Sequence, residues 1–294
     1  MRRYCPGFGS WQRDKAVMDE NYETDEDGLP REIVGPWARD KYARLEKYVG
    51  ISAGVRGKFL GGGKAGATYI DLFCGPARVR IKDQKEAMHG SPLIAWHESL
   101  SGEKAFTQVH IADADQILLQ AAEVRLKRAG APVLSEIGPA IETVNRVIAK
   151  LNPHGLHLAF LDPYNLADLP FEIIRKLAAF KHMDILIHVS GMDLQRNLKK
   201  YIAQKNSALD TFAPNWRKAI DTTRNQSFVR GKILEHWRNL VHAEGMTTTK
   251  THENVVGSNN QPLYWLAFAA RHPTALKFWE KSRDINPEKQ LPLL

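Results

Sequence analysis

The run Tyr69-Ile70-Asp71-Leu72-Phe73-Cys74-Gly75-Pro76-Ala77-Arg78 decides how this chain is read. Its first five residues are β-prone, and Cys74-Gly75-Pro76 ends them in a turn. The same grammar repeats downstream. Val109-His110-Ile111-Ala112 is a second predicted strand, closed by Asp113-Ala114-Asp115 and followed by a helix over 116–128. Pro132-Val133-Leu134 is a weakly patterned third strand, and 140–151 has helical spacing. Leu156–Leu161 is a fourth strand closed by Asp162-Pro163, 171–180 is helical, and Met183–Val189 is a fifth strand. Apolar strands alternating with helices imply an α/β fold, a parallel sheet with helices on both faces. Residues 195–246 read as wholly helical, an insertion too long for a simple crossover. Lys250–Val256 and Leu263–Ala270 flank Gly257-Ser258-Asn259-Asn260-Gln261, so the sheet is expected to close on an antiparallel hairpin.

Upstream, a helix is predicted from Pro36, a favoured first helical position, to Gly50. Its apolar stripe is Trp37, Tyr42, Leu45, Tyr48 and Val49. Gly61-Gly62-Gly63-Lys64-Ala65-Gly66 lacks the Ser/Thr of a phosphate loop and precedes a strand instead of following one, so it reads as a flexible linker. Residues 5–34 read as a poorly structured entry: Cys5–Ser10 is loop chemistry, and Asp25-Glu26-Asp27-Gly28 is an acidic turn. The expected organisation is a flexible acidic segment over 1–34 and one α/β domain over 35–294.

The chain has 294 residues, 43% of them hydrophobic, with 41 Lys+Arg against 33 Asp+Glu. That length is ample for a sizeable core. No apolar run reaches the roughly 18 residues of a membrane helix, and Met1-Arg2-Arg3 is not followed by a signal-peptide stretch. Two cysteines, Cys5 and Cys74, are too few for a disulfide framework, and a reducing cytoplasm is the simplest expectation. The charge is uneven. Residues 1–34 hold 8 acids and 5 bases, whereas 196–294 hold 16 bases and 8 acids with four of the seven tryptophans. Basic charge mixed with Trp216, Trp237, Trp265 and Trp279 suits a phosphate backbone and stacked bases. A solvated basic face over an ordinary aromatic core is the competing reading.

In an open parallel sheet, ligands bind beyond the carboxyl ends of the strands near the switch point. After the first strand, Gly75 permits a tight turn, Ala77 permits close backbone approach, and Asp71 can fix the turn or meet a ligand amine through water. After the second, Asp113 or Asp115 can accept hydrogen bonds from a ribose diol. After the fourth, Asp162-Pro163-Tyr164-Asn165 offers a carboxylate, a rigid ring, a π-face and an amide. Each has a plainer explanation as a helix cap or turn. His110 and His188 fall inside predicted strands and read as core histidines; Cys74 reads as a small buried turn residue. Arg196 follows the fifth strand at the expected pocket rim, and no His/Cys/Asp/Glu spacing resembles a metal site.

The stretch Asp71–Arg78 resembles the first motif of class I S-adenosylmethionine-dependent methyltransferases, in its Asp-Leu-Phe-x-Gly-x-Gly version. More narrowly, the chain resembles the three-Cys-motif partner family through Trp37-Ala38-Arg39-Asp40-Lys41, Tyr69–Arg78, Phe160–Tyr164 and Leu263–Trp279. The resemblance implies a Rossmann-like methyltransferase fold, S-adenosylmethionine as cofactor, and a separately encoded radical-type iron–sulfur partner. Phe73 and Ala77 stand where the general motif has glycines. The motif gives Asp71, Phe73, Gly75 and Ala77, and the place after the second strand gives Asp113 and Asp115, as the expected cofactor-binding residues. Asp162-Pro163-Tyr164 resembles the Asp-Pro-Pro-Tyr tract of exocyclic-amine methyltransferases, in which a carboxylate or carbonyl accepts from the amine and an aromatic stacks on the flipped base. The implied activity is methylation of DNA or RNA at a base nitrogen, with Arg196, Lys199, Lys200, Arg217, Lys218, Arg224 and Arg230 docking phosphates. The alternative is a non-catalytic nucleic-acid-binding or adaptor module.

Overall fold

The computed structural model describes residues 20–249, 253–256 and 262–282, so Cys5–Ser10 and the 257–261 connection lie outside the described residues. In chain order the first elements are β1 (Tyr22–Thr24), β2 (Pro30–Val34), α1 (Ala38–Ile51), α2 (Ala53–Arg56), β3 (Ala67–Asp71), β4 (Arg78–Ile81) and β5 (Ala87–His89). Next come α3 (Ser91–Ser101), β6 (Gln108–Asp113), α4 (Gln116–Arg128), β7 (Val133–Ile137), α5 (Ala140–Ile148), β8 (Leu156–Leu161), α6 (Phe171–Ala178) and β9 (Met183–Ser190). The last are α7 (Gly191–Ala203), α8 (Ala208–Phe212), α9 (Trp216–Ala219), α10 (Gln226–Ala243), β10 (Thr247–Thr248), β11 (Glu253–Val256), β12 (Pro262–Ala270) and α11 (Pro273–Ser282).

Strands β7-β6-β3-β8-β9 lie side by side and parallel, and β12 joins β9 antiparallel. β11 and β10 pair with different stretches of β12, which makes the expected hairpin. The chain enters at β3, winds outward through β6 to β7, then returns to build β8 and β9 on the other side. The reversal puts the switch point between β3 and β8. This is the Rossmann-like sheet that the sequence implies, parallel strands closed by an antiparallel hairpin.

Period-two alternation sorts the strands onto two cores. Ile70, Ala159, Leu161, Ile185 and Ile187 face α5, α6 and the helices after β9. Tyr69, Leu158, Phe160 and Leu186 face α1, α3, α4 and α11. Among the described residues no helix is long and apolar enough to cross a membrane.

Two expectations are corrected. Residues 20–34, expected as part of a flexible acidic entry, form β1 and β2 in a second sheet of order β1-β2-β4-β5. The acids are matched by distant arginines. Asp25, with a fully buried side chain, lies 2.9 Å from Arg31, 3.0 Å from Arg78 and 3.3 Å from Arg125. Arg125 in turn donates to Asp27 (2.7 Å) and to the carbonyls of Pro30 and Pro76 (both 2.7 Å). One buried guanidinium thus ties the entry segment to the turn after β3. Secondly, 195–246 is not wholly helical: α7 begins at Gly191, and turns separate it from α8, α9 and α10. Ser207 and Asp210 form a capping box that starts α8, and Asn215 at φ 64° interrupts the chain before α9.

Candidate functional site

The carboxyl ends of the central strands open into a cleft of about 1520 Å³. Ligand pockets usually run to about 1,000 Å³, so this one has room for two ligands together. Phe73, Gly75, Ala77, Asp113, Asp162, Pro163, Tyr164 and Arg196 all line it.

The first wall is the turn after β3. Gly75 (φ 50°) and Ala77 (φ 60°) both lie in the left-handed region, so the motif's glycine position is held here by an alanine at a conformational cost. The turn is clamped from several sides. Asp113 accepts from the Gly75 amide at 2.9 Å and from the Asp115 amide at 2.9 Å. The Gly90 amide donates to the Ala77 carbonyl at 2.8 Å, and a Cβ on Gly90 would sit 2.9 Å from the Ala77 carbonyl carbon. Asp71 lies beneath the turn, fully buried and off the cleft wall. It accepts from Ser91 Oγ (2.6 Å), Tyr69 Oη (3.1 Å) and the Phe73 amide (3.2 Å). Burial pushes its carboxyl up to about 7. Asp71 therefore positions the turn. Cys74 is buried as expected, and burial holds its thiol well above the ordinary value.

Asp115 is not part of the wall. It is the N-cap of α4, accepting from the amides of Ile117 (2.7 Å) and Leu118 (3.2 Å). Of the two acids offered for a ribose diol, Asp113 is the one at the cleft.

The opposite wall contains a group that the sequence does not reveal. Lys41 Nζ makes an ion pair with Asp162 Oδ2, and His188 Nδ1 lies 3.2 Å from Asp162 Oδ1. Burial works to raise the Asp162 pKa, but Lys41 and then His188 outweigh it, and the carboxyl is held below its ordinary range. Burial lowers His188 to about 4, so its imidazole is neutral at physiological pH. The parallel register explains the meeting: Leu161 pairs with Ile187, which brings the next residues, Asp162 and His188, alongside each other. Lys41 arrives from α1, within the Trp37–Lys41 stretch. Tyr164 is 80% exposed, an aromatic face open to the cleft. Asn165 is spent on capping, accepting from the amides of Ala167 (2.8 Å) and Asp168 (3.2 Å).

The basic residues separate into two kinds. Arg196 reaches the cleft, whereas Lys199, Lys200 and Lys218 are exposed away from its lining. Arg224 lies over the Phe228 ring at 5.3 Å, and Arg230 is half-buried on α10. Arg217 does not suit phosphate docking: it is consumed by Asp210 and the carbonyls of Tyr201, Ile202 and Gln204. The four tail tryptophans are core, none more than 7% exposed, so they are not a stacking surface. The lip formed by the second sheet adds Lys82 and Lys85, exposed cleft residues with no ion pair among the described residues. Trp37, 37% exposed, stands on the same cleft.

No protein-family model matches this sequence, and no curated protein matches it either. Among solved structures, similar chains include a Legionella pneumophila protein of the DUF519 family model, at 10% identity and TM-score 0.46 over 81% of this chain and 89% of that one. A second is an O-methyltransferase from Bacillus cereus in complex with SAH, at 14% identity and TM-score 0.42 over 83% and 85% of the two chains. A third is the methyltransferase domain of a bacterial Hen1, at 13% identity and TM-score 0.40 over 79% and 98%.

Proposed function

We propose that this chain is an S-adenosylmethionine-dependent methyltransferase whose substrate is nucleic acid, modified at a base nitrogen. One observation carries the reading. The Gly75 turn, the Asp113 carboxylate and the Asp162–Tyr164 tract come from three separate strand ends and line one cleft at the switch point. The residues fit this cofactor. Gly75 and Ala77 offer backbone to the ligand, and Asp113 presents a carboxylate where hydroxyl donors of a nucleoside would lie. Bound there, the cofactor supplies an electrophilic methyl group on a sulfonium.

The rest is the work of the chain's own residues. An aromatic amine is a poor nucleophile because its lone pair is delocalised into the ring. Asp162 is kept ionised by Lys41. An ionised carboxylate has about four acceptor positions, so the Lys41 hydrogen bond leaves some free for the amine N–H. That hydrogen bond localises the lone pair, and Asp162 can take the proton the nitrogen sheds. Tyr164 supplies a surface on which a flipped base stacks. Lys82, Lys85 and Arg196 favour a phosphate backbone across the mouth of the cleft.

The test is transfer of isotopically labelled methyl groups to DNA and to RNA. Incorporation is expected with the wild-type chain and is lost in Asp162→Ala. Tight nucleic-acid binding without any methyl transfer would instead favour the adaptor reading.

A further inference from the structure

Glu32 is a half-buried cleft carboxylate with no side-chain partner among the described residues. It comes from β2 in the second sheet, outside the Rossmann sheet altogether. Three neighbouring acids of the entry segment are engaged: Glu23 and Asp25 with Arg31, and Asp27 with Arg125. Its backbone belongs to the β1-β2-β4 ladder, but its carboxylate makes no hydrogen bond or ion pair among the described residues, and it lines the cleft. A Cβ placed on Gly75 would lie 3.6 Å from Glu32 Oε2, so the carboxylate overhangs the turn after β3.

Among the described residues no cation pairs with it there. Lys41, whose charge acts on it, is already paired with Asp162, and Asp113 and Asp162 add negative charge to the same pocket. Burial is the main reason its carboxyl is pushed up to about 7, and the two aspartates act in the same direction against Lys41. An unpartnered acid with acidic neighbours is costly for the fold and favourable for a ligand that brings a positive charge.

We infer that Glu32 is the anchor for the α-ammonium group of the cofactor's amino-acid arm, supplied by the second sheet over the Gly75 turn. The inference rests on the methyltransferase reading and adds a residue and a subsite to it. It also gives the entry segment a purpose. Arg125, which fixes Asp27 and the Pro30 and Pro76 carbonyls, holds β2 in register with the turn that Glu32 faces.

The experiment is calorimetric titration of wild type, Glu32→Gln and Glu32→Asp with two ligands. S-adenosylhomocysteine carries the ammonium; methylthioadenosine keeps the nucleoside and sulfur but lacks the amino-acid arm. Charge-assisted hydrogen bonds differ from neutral ones enough to expect Glu32→Gln to weaken S-adenosylhomocysteine by roughly 10–100-fold. Methylthioadenosine affinity should stay the same, and Glu32→Asp should retain part of the lost affinity. Equal affinity of wild type and Glu32→Gln for S-adenosylhomocysteine overturns the assignment while leaving the methyltransferase reading intact. Equal weakening of both ligands also overturns it, because the residue would then be shaping the nucleoside pocket. If the wild-type chain binds neither ligand, the methyltransferase reading itself fails and the anchor with it.

Discussion

Replacing Lys41 with Met removes the cation that holds Asp162 in its ionised state, and the consequences can be worked through. The two side chains are only 10% and 16% exposed. Removing one partner of a buried pair typically costs about 3–5 kcal/mol; partial access to water places this pair near the lower end, about 3 kcal/mol. For a chain of this size that corresponds to a fall in Tm of roughly 5 °C. The loss should depend on pH with a definite sign. In the wild type the Asp162 pKa is depressed, so its contribution is present above the unfolded value, near 3.9, and fades as pH falls through the folded value. In Lys41→Met burial is left opposed only by His188, and the folded pKa moves upward. The variant's deficit is therefore small near pH 4 and grows toward pH 7. Urea unfolding of Lys41→Met, Asp162→Asn and the double variant at several pH values measures this directly. The double variant should recover about 2 kcal/mol relative to the sum of the singles, because neither charge is then stranded. Strictly additive losses, or a deficit that does not change with pH, would refute the claim that Lys41 and Asp162 act as a pair.

Three further outcomes are expected. Arg125→Met should cost about 3 kcal/mol and expose residues 20–34 to limited proteolysis, because a 4%-exposed guanidinium joins that segment to the body; unchanged protection would separate the segment from the turn it contacts. Gly90→Ala should cost about 2 kcal/mol by thermal unfolding, since the new methyl meets the Ala77 backbone at 2.9 Å, a contact that backbone cannot easily relieve; a neutral result would show the turn to be more yielding than described. Joint replacement of Lys82, Lys85 and Arg196 by Ala should leave Tm nearly unchanged yet reduce the salt dependence of DNA binding by about 0.9 per contacting charge. An unaltered salt slope would move phosphate recognition elsewhere.

Much of the sheet could be read from local pattern. The predicted helix over 116–128 matches α4, and the five parallel strands stand where apolar runs end in Asp, Gly or Pro. The central turns carried their own signal, since Gly75 and the acids after β6 and β8 lie at strand ends. What was hidden depends on contacts remote in sequence. β1, β2 and β4 are short and charged, and their order rests on pairs such as Arg125–Asp27, 98 residues apart. α3 does carry a local signal, Pro92 in its first turn. The Lys41–Asp162–His188 group needs the packing of α1 and the register of β8 on β9, neither of which a single sequence displays. The tail shows the reverse error. Its tryptophans and Arg217 look like a nucleic-acid surface in composition, yet the tryptophans pack into the two cores and Arg217 ties Asp210 to nearby carbonyls, and only the contacts separate the two readings.

Binding of S-adenosylhomocysteine to the wild-type chain and to Asp113→Ala is the most direct measurement of the central claim, that the cleft beyond β3, β6 and β8 receives an adenosine-bearing cofactor. A saturable one-to-one isotherm for the wild type, lost or strongly weakened in Asp113→Ala while the variant remains folded, is the expected result. Absence of wild-type binding up to millimolar ligand, or binding unaffected by the substitution, would contradict it.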